Sequence, residues 1–263
     1  MKTIAIAGVG LIGGSFALAL RKAGFQGKII GVSSPVTVQK ALALGVIDQA
    51  LPLAEAAATA DLVYLAQPIG QILETLDALE TGALVTDAGS TKAVICERGG
   101  RLKRFVGGHP MAGKESRGVE HADADLFRGR PYVLTSREPE METWIERFGA
   151  RLVILDPVEH DRQVAFVSHL PQLLSTTLAS VLAGKEQVAG PAAADLTRLA
   201  LSPYDIWRDI FATNAEPIDA AIGAFIARLE EVRKQLRSSE LEAVFSRAAA
   251  SARALRHPLS NKR

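Results

Sequence analysis

The sequence predicts an α/β protein in two parts, a parallel-sheet domain over residues 1–157 and an all-helical domain over residues 158–263. Three observations carry this reading. A nearly all-apolar run, Thr3-Ile4-Ala5-Ile6-Ala7, passes directly into the glycine-rich turn Gly8-Val9-Gly10-Leu11-Ile12-Gly13. Apolar runs of strand length then alternate with helical stretches as far as Leu155. Beyond Asp156-Pro157 the alternation stops and only helical periodicity remains.

Residues 3–7 have the composition of a central parallel strand covered on both faces. Leu11 to Ala23 reads as a helix, Gly24 as its stop, and Lys28-Ile29-Ile30-Gly31-Val32 as the next strand. The glycines therefore sit inside a β-α-β unit with the G-x-G-x-x-G spacing of a Rossmann-like dinucleotide-binding domain. Gly8 serves the tight turn, Gly10 lets the backbone approach a pyrophosphate, and Gly13 lets helix pack on strand, with the phosphates at the helix start beside Leu11 and Ile12. The second strand ends in Val32-Ser33-Ser34-Pro35, where an NAD-selective unit usually carries an acid for the ribose 2′-hydroxyl. No carboxylate stands there. Ser33, Ser34 and Thr37 offer hydroxyls to a 2′-phosphate, which favours NADP, but the customary arginine is also missing, which leaves NAD open. The serines equally suit a turn that caps the following helix.

Leu62 to Ala66 before Gln67-Pro68, Leu84 to Asp87 before Ala88-Gly89-Ser90, and Phe105-Val106 before Gly107 each end a strand in a polar turn. Open α/β sheets bind ligands beyond the carboxyl ends of their strands, so Pro68, Ser90 and the residues after Val106 are expected around the crevice of the glycine turn. Ser90 also fits the N-cap of a helix over Lys92 to Glu97. Gly107-Gly108-His109-Pro110-Met111-Ala112-Gly113-Lys114-Glu115 reads as a loop shaped to aim an imidazole. With an unperturbed pKa of roughly 6.5, His109 is a candidate general base, and a turn histidine with a backbone partner is the plain alternative. Pro131 to Thr135, a helix over Glu138 to Phe148, and Arg151 to Leu155 extend the α/β pattern.

In the second half, Val167, Leu170, Leu174, Leu178 and Val181 mark one apolar helix face, and Ile218, Ile222, Phe225, Leu229, Val232 and Leu236 mark another. Helices this apolar seldom cover themselves, so a homodimer through this half is expected. Ser202-Pro203-Tyr204-Asp205 resembles a capped helix start. Arg198 follows Asp195 by three residues, either as a surface ion pair or as a guanidinium oriented to grip a substrate carboxylate. His169 and Trp207, taken alone, read as core residues.

Composition narrows the class of partner. A net charge of +1 gives no global field for nucleic acid or an anionic membrane, and the single cysteine, Cys96, fits a reducing compartment, so the cytoplasm is expected. The apolar start Thr3 to Ala7 is too short for a signal-peptide core and reads better as a first strand, and no run approaches the ~20 apolar residues of a membrane span. The five histidines, His109, His121, His160, His169 and His257, show no metal-ligand spacing, so no metal is expected.

Taken together, Gly107 to Gly113, Gly8 to Gly13, Asp87 to Ser90, Ser168-His169-Leu170-Pro171 and Asp195 to Arg198 resemble the prephenate and arogenate dehydrogenases of tyrosine biosynthesis, over nearly the whole chain. The resemblance implies a nucleotide-binding domain, a helical dimerisation domain, and NAD(P)-dependent oxidative decarboxylation of a cyclohexadienol in an active site between them. It implies that His109 deprotonates the substrate hydroxyl with Ser90 beside it near the nicotinamide. Arg198, with Asp195, is then similar to the family's carboxylate-binding arginine, His169 to its substrate-side histidine, and Trp207 to a tryptophan near the pocket. Two segments depart from the pattern: Gly190-Pro191-Ala192-Ala193-Ala194 before Asp195, and Ala66-Gln67-Pro68 where Cys-Thr-Pro is commoner. A β-hydroxyacid dehydrogenase or imine reductase shares the layout without the His109 motif, and a non-catalytic dinucleotide-sensing protein needs no base at all.

Overall fold

The computed structural model describes residues 1–114 and 116–256. Glu115, at the end of the stretch read as a loop, and His257 lie outside the described residues. The chain forms two compact units, Met1–Ala215 and Glu216–Arg263.

The first unit is organised on a six-stranded sheet in the order β3-β2-β1-β4-β5-β6: β1 (Thr3–Ala7), β2 (Lys28–Val32), β3 (Gln49–Ala50), β4 (Leu62–Leu65), β5 (Leu84–Asp87) and β6 (Phe105–Val106). All pairings are parallel, and Ala5 lies opposite both Ile30 on β2 and Val63 on β4. Period-two alternation divides the core. Ile4, Ile6, Leu62 and Tyr64 face one apolar cluster with Phe16, Leu20 and Phe148; Ala5, Ala7, Val63, Leu65 and Val85 face another with Ile72, Leu76 and Ile95. The crossovers are α1 (Leu11–Lys22), α2 (Pro35–Ala43), α3 (Leu53–Thr59), α4 (Ile69–Ala78) and α5 (Ala93–Gly99). The direction of strand order reverses between β1 and β4, which opens the crevice where such sheets bind ligands.

A second sheet, β7 (Gly108–Pro110), β8 (Pro131–Leu134) and β9 (Arg151–Ile154), follows with α6 (Pro139–Arg147). Here the sequence reading is corrected. His109 lies in a strand, not a loop, with Gly108, His109 and Pro110 antiparallel to Leu134, Val133 and Tyr132. Glycine and proline give this stretch no strand propensity of its own; pairing with β8 imposes the extended backbone, and Pro110 is tolerated because β7 is an edge strand.

After Ile154 the described residues are helical: α7 (Pro157–Val164), α8 (Leu170–Leu182), α9 (Pro191–Thr197) and α10 (Tyr204–Thr213) in the first unit, then α11 (Ala215–Gln235) and α12 (Glu240–Arg256). Asp156 caps α7, accepting from the N–H groups of Val158 and Glu159 at 2.9 and 3.3 Å. A π-helical turn over Ala165–His169 joins α7 to α8, and its widened ladder makes room for Pro171, which lacks an N–H. The helical run Pro157–Leu182 has the length and mean hydropathy of a membrane span. Its inward face, however, carries His160, Asp161, His169, Gln172 and Ser175, each bonded to another group of the protein. From α10, Ile210 joins the apolar cluster on one face of the main sheet, with Trp207 packed against it. The second unit exposes Phe225, Ile226, Leu229, Leu236, Phe245 and Leu255 on its helices.

Candidate active site

Two adjoining depressions lie at the carboxyl ends of the strands. The first, about 460 Å³, is lined by Gly10, Leu11, Ile12, Gln67, Pro68, Gly89 and Ser90, among others. The second, about 770 Å³, is lined by Ser90, His109, Ser168, Gln172, Arg198 and Trp207, among others. Ser90, Lys114 and Ile210 are among the residues that line both, so the two spaces share a wall.

The glycine turn is built for a dinucleotide phosphate. Gly8 has φ of 91°, and a Cβ there would lie 2.5 Å from the Ala66 carbonyl oxygen; one on Gly13 would lie 2.0 Å from the Gly8 oxygen. These two glycines are required by the protein's own packing. A Cβ on Gly10 would meet nothing within 4 Å, so that glycine borders open space at the start of α1, where backbone N–H groups and the helix dipole favour an anion. Ser33, Ser34 and Thr37 stand outside both depressions. Ser34 caps α2, its Oγ accepting from the Thr37 N–H at 3.4 Å and lying 2.9 Å from Thr37 Oγ1.

His109 is held from both sides of its peptide. The Gly108 N–H donates to Asp87 Oδ1 at 3.0 Å, and the Gly108 carbonyl accepts from Lys92 Nζ at 2.8 Å. Lys92 and Asp87 form a fully buried ion pair, and Asp87 also accepts from the Gly89 N–H at 2.7 Å, which fixes the turn carrying Ser90. Ser90 does not cap α5 as its position suggested. Asp161 does so from α7, taking the N–H groups of Lys92 and Ala93 at 2.7 and 2.8 Å, and Ser90 instead faces both depressions. The imidazole of His109 is 8% exposed, and its Nδ1 lies 2.9 Å from His160 Nε2. Burial, then the neighbouring His160, Lys92 and His169, hold its pKa well below the ordinary imidazole value, so it is neutral and able to accept a proton at pH 7.

Arg198 lines the larger cavity from a 3₁₀ turn after α9. That turn is tied to α8 on either side of it: Gln172 Nε2 donates to the Leu199 carbonyl at 2.9 Å, and the Ala200 N–H donates to Ser175 Oγ at 3.1 Å. Trp207 forms part of the same wall, its Nε1 donating to Ser202 Oγ at 2.9 Å, which takes that hydroxyl away from the capping role its position suggested. Asp195 is exposed and outside the wall. His169 stands behind the cavity, 1% exposed, with its ring edge-to-face against Trp207 and its Nδ1 accepting from the Asn214 amide at 3.1 Å. Burial lowers its pKa to about 4.

Models of the prephenate dehydrogenase nucleotide-binding domain and dimerization domain match residues 16–156 and 156–248. The chain belongs to the prephenate dehydrogenase family. It is 36% identical over 261 residues to the prephenate dehydrogenase of Lactococcus lactis subsp. cremoris, covering 93% of this chain and 74% of that one. It also matches the crystal structure of prephenate dehydrogenase from A. aeolicus in complex with hydroxyphenyl propionate and NAD⁺. That match has a TM-score of 0.83 and 31% identity, over 97% of this chain and 98% of the other. A Synechocystis arogenate dehydrogenase superposes with a TM-score of 0.83 and 27% identity, over 96% and 99% of the two chains.

Within this family member, sequence reasoning passed over Lys92, His160, Asp161 and Gln172. Lys92 reads as an ordinary charge near a helix start. The other three belong to a stripe of buried positions at helical spacing, His160/Asp161, Val164/Ala165, His169, Gln172 and Ser175. The spacing was available in the sequence, but a periodicity search weighted toward apolar side chains does not register a buried face built from polar ones.

Proposed function

We propose that this chain is an NAD(P)-dependent dehydrogenase that oxidatively decarboxylates a cyclohexadienol, prephenate to 4-hydroxyphenylpyruvate or arogenate to tyrosine. The observation that carries the reading is a neutral, buried imidazole lining a cavity that adjoins, across Ser90, the depression at the glycine turn. His109 Nε2 takes the proton of the ring hydroxyl, and Ser90 holds that hydroxyl toward the base. Arg198 grips a side-chain carboxylate with charge-assisted hydrogen bonds, Trp207 closes the apolar side of the ring, and His169 supports Trp207 from behind. Asp195 orients the Arg198 turn. Gly10, Leu11, Ile12 and Pro68 hold the dinucleotide, whose nicotinamide supplies the hydride acceptor when bound. Loss of the ring carboxylate as carbon dioxide leaves a phenol, and aromatisation makes the conversion strongly downhill.

The cyclohexadienol ring is common to the substrates named for the relatives, one a prephenate and one an arogenate dehydrogenase, and it is the part of the substrate this reading assigns. For the cofactor the reading favours NADP, because no carboxylate at the end of β2 repels a 2′-phosphate and Ser33, Ser34 and Thr37 present hydroxyls there; NAD, bound in the A. aeolicus relative, remains open to the same site. Functionally, residues 1–157 serve the dinucleotide and residues 158–263 the substrate and a second copy of the chain. Exposed Phe225, Leu229 and Phe245 make a homodimer the natural cover for the helices, and a monomeric mass by light scattering at micromolar concentration would count against it. A reducing cytoplasmic location suits the lone thiol.

Initial rates at 340 nm, with prephenate or arogenate crossed against NAD⁺ or NADP⁺, test the reading. Turnover in any combination supports the reaction and fixes both specificities. Silence in all four from folded, dinucleotide-binding protein would overturn it in favour of a dinucleotide-sensing role.

A further inference from the structure

His160 and Asp161 have no part in the reading above, yet they are 0% and 2% exposed and stand directly behind His109. Asp161 is the fixed end of this array. Its two oxygens receive the N–H groups of Lys92 and Ala93, and a carboxylate so placed only accepts. In the 2.8 Å contact between His160 Nδ1 and Asp161 Oδ1 the hydrogen therefore sits on nitrogen. With its hydrogen on Nδ1, the His160 ring turns Nε2 to His109 as an acceptor, so in the 2.9 Å contact the hydrogen sits on His109 Nδ1. Each donor in the row points the same way, toward Asp161. The nitrogen of His109 left without a proton is Nε2, on the side of the ring away from His160.

We propose that Asp161 and His160 are positioning residues that fix His109 in its Nδ1–H tautomer and receive that proton as His109 Nε2 takes one from the substrate hydroxyl. The second half of the proposal rests on the dehydrogenase reading; the tautomer does not. The step balances without electron transfer. One proton leaves the hydroxyl oxygen for His109 Nε2, and one passes from His109 Nδ1 to His160 Nε2. His109 ends neutral, and His160 becomes an imidazolium against the Asp161 carboxylate.

The surrounding charges favour this displacement. The groups near the pair are Lys92 and Asp87 beneath β7, Asp161 on α7, and neutral His169. Asp87 is engaged by Lys92 and by the amides of Gly89 and Gly108, while Lys92 bears on His109 as a like charge to any imidazolium formed there. A buried base disfavoured as a cation is a weak proton acceptor when isolated. Moving the positive charge one ring further places it in contact with an anion.

The tautomer is read directly in the unaltered protein by long-range ¹H–¹⁵N correlation on ¹⁵N-histidine-labelled enzyme, with H109Q and H160Q used only to assign the signals. Protonated Nδ1 and bare Nε2 on both rings are expected; a proton on His109 Nε2 would overturn the proposal whether or not any variant folds. Kinetics supply the second arm. The Asp161 oxygen that faces His160 also receives the Lys92 N–H, so in D161N the amide oxygen keeps both contacts but the anion that would meet the displaced charge is gone, and kcat is expected to fall by ~10²–10⁴-fold with the Michaelis constants little changed. In H160Q the glutamine carbonyl still accepts from His109 but takes no proton, so its kcat is expected to fall at least as far as that of D161N while the binding of either ligand changes little. Wild-type kcat in folded D161N and H160Q would reduce the pair to a helix cap and a core histidine. The expected tautomers in a protein inactive on both cyclohexadienols would support the fixed row and sink the proposed reaction instead.

Discussion

The two walls of the cleft are built by opposite means. The wall around Gly10 is backbone at its centre, with open space at a helix start and close strand packing behind it, while the charged side chains Lys114, Arg117, Asp205 and Asp209 line the rest of the depression. The wall around His109 is side chain: a buried ion pair, two imidazoles in contact and a carboxylate that also caps a helix, drawn from Asp87, Lys92, His109, His160 and Asp161. A backbone wall tolerates small changes that leave its turn intact. In a wall of buried, mutually bonded polar groups, removal of one member leaves the others unsatisfied, so chemistry and stability fail together.

The sharpest test of that contrast is His109→Ala. Steady-state kinetics should show kcat reduced by ~10²–10⁴-fold, the usual contribution of a general base, while dinucleotide affinity measured by fluorescence stays near wild type. In the unaltered enzyme kcat/KM should hold its plateau below pH 6.5, because the lowered pKa keeps His109 unprotonated there. A rise in the substrate Michaelis constant at unchanged kcat would assign His109 to binding and Arg198 to the chemistry.

Lys92→Met comes next. The ammonium is fully buried between Asp87 and the Gly108 carbonyl, so its removal strands a buried carboxylate and should cost about 3–5 kcal/mol in denaturant unfolding. Adding Asp87→Asn to the same chain should recover part of that loss. If the double variant is no more stable than the single one, the two residues are not coupled in the way the buried pair implies.

Legibility in the sequence follows the same division. The cofactor wall is contiguous, and its glycines, strand and helix could be read in order because each acts within a few residues of its neighbours. His109 was legible as a candidate site residue but its strand was not, since the pairing partner Val133 lies on a separate element. The cap of α5 follows the same rule: Ser90 fits it by local sequence, but an aspartate from α7 takes the role because tertiary packing delivers it to two amides at once. The turn that brings Arg198 to the cavity is held by the Gln172 amide donating to the Leu199 carbonyl and by the Ala200 N–H donating to Ser175, and Trp207 is held by donating to Ser202. What escaped the sequence reading is the set of long-range polar bonds, and the chemical wall consists largely of them.

Acid exposes a further difference. His169 is buried with a pKa of about 4, and His109 is lowered in the same direction. Between pH 6.5 and 4 the unfolded chain therefore binds more protons than the folded one. Stability from this source is fully present above pH 6.5 and is lost as pH falls toward 4, with His169 alone accounting for on the order of 3 kcal/mol. Calorimetric melting between pH 7 and 4 should show the decline, and His169→Gln should flatten it. A melting temperature constant across that window would mean that His169 is not held neutral against Trp207 and Asn214.

The smallest effect separates two glycines of one motif. Gly10→Ala places a methyl where nothing lies within 4 Å, on a backbone with φ of −88° and ψ of −150°, at the edge of the extended region and outside the positive-φ range that favours glycine. Its melting temperature should stay close to wild type, within about 1 kcal/mol of stability, while dinucleotide binding weakens because the methyl occupies the space through which the phosphates approach. Gly13→Ala drives its methyl into the Gly8 carbonyl and should destabilise the fold itself. Equal loss of stability in the two variants would mean that Gly10 is a packing residue and that the open space beside it is not the ligand's.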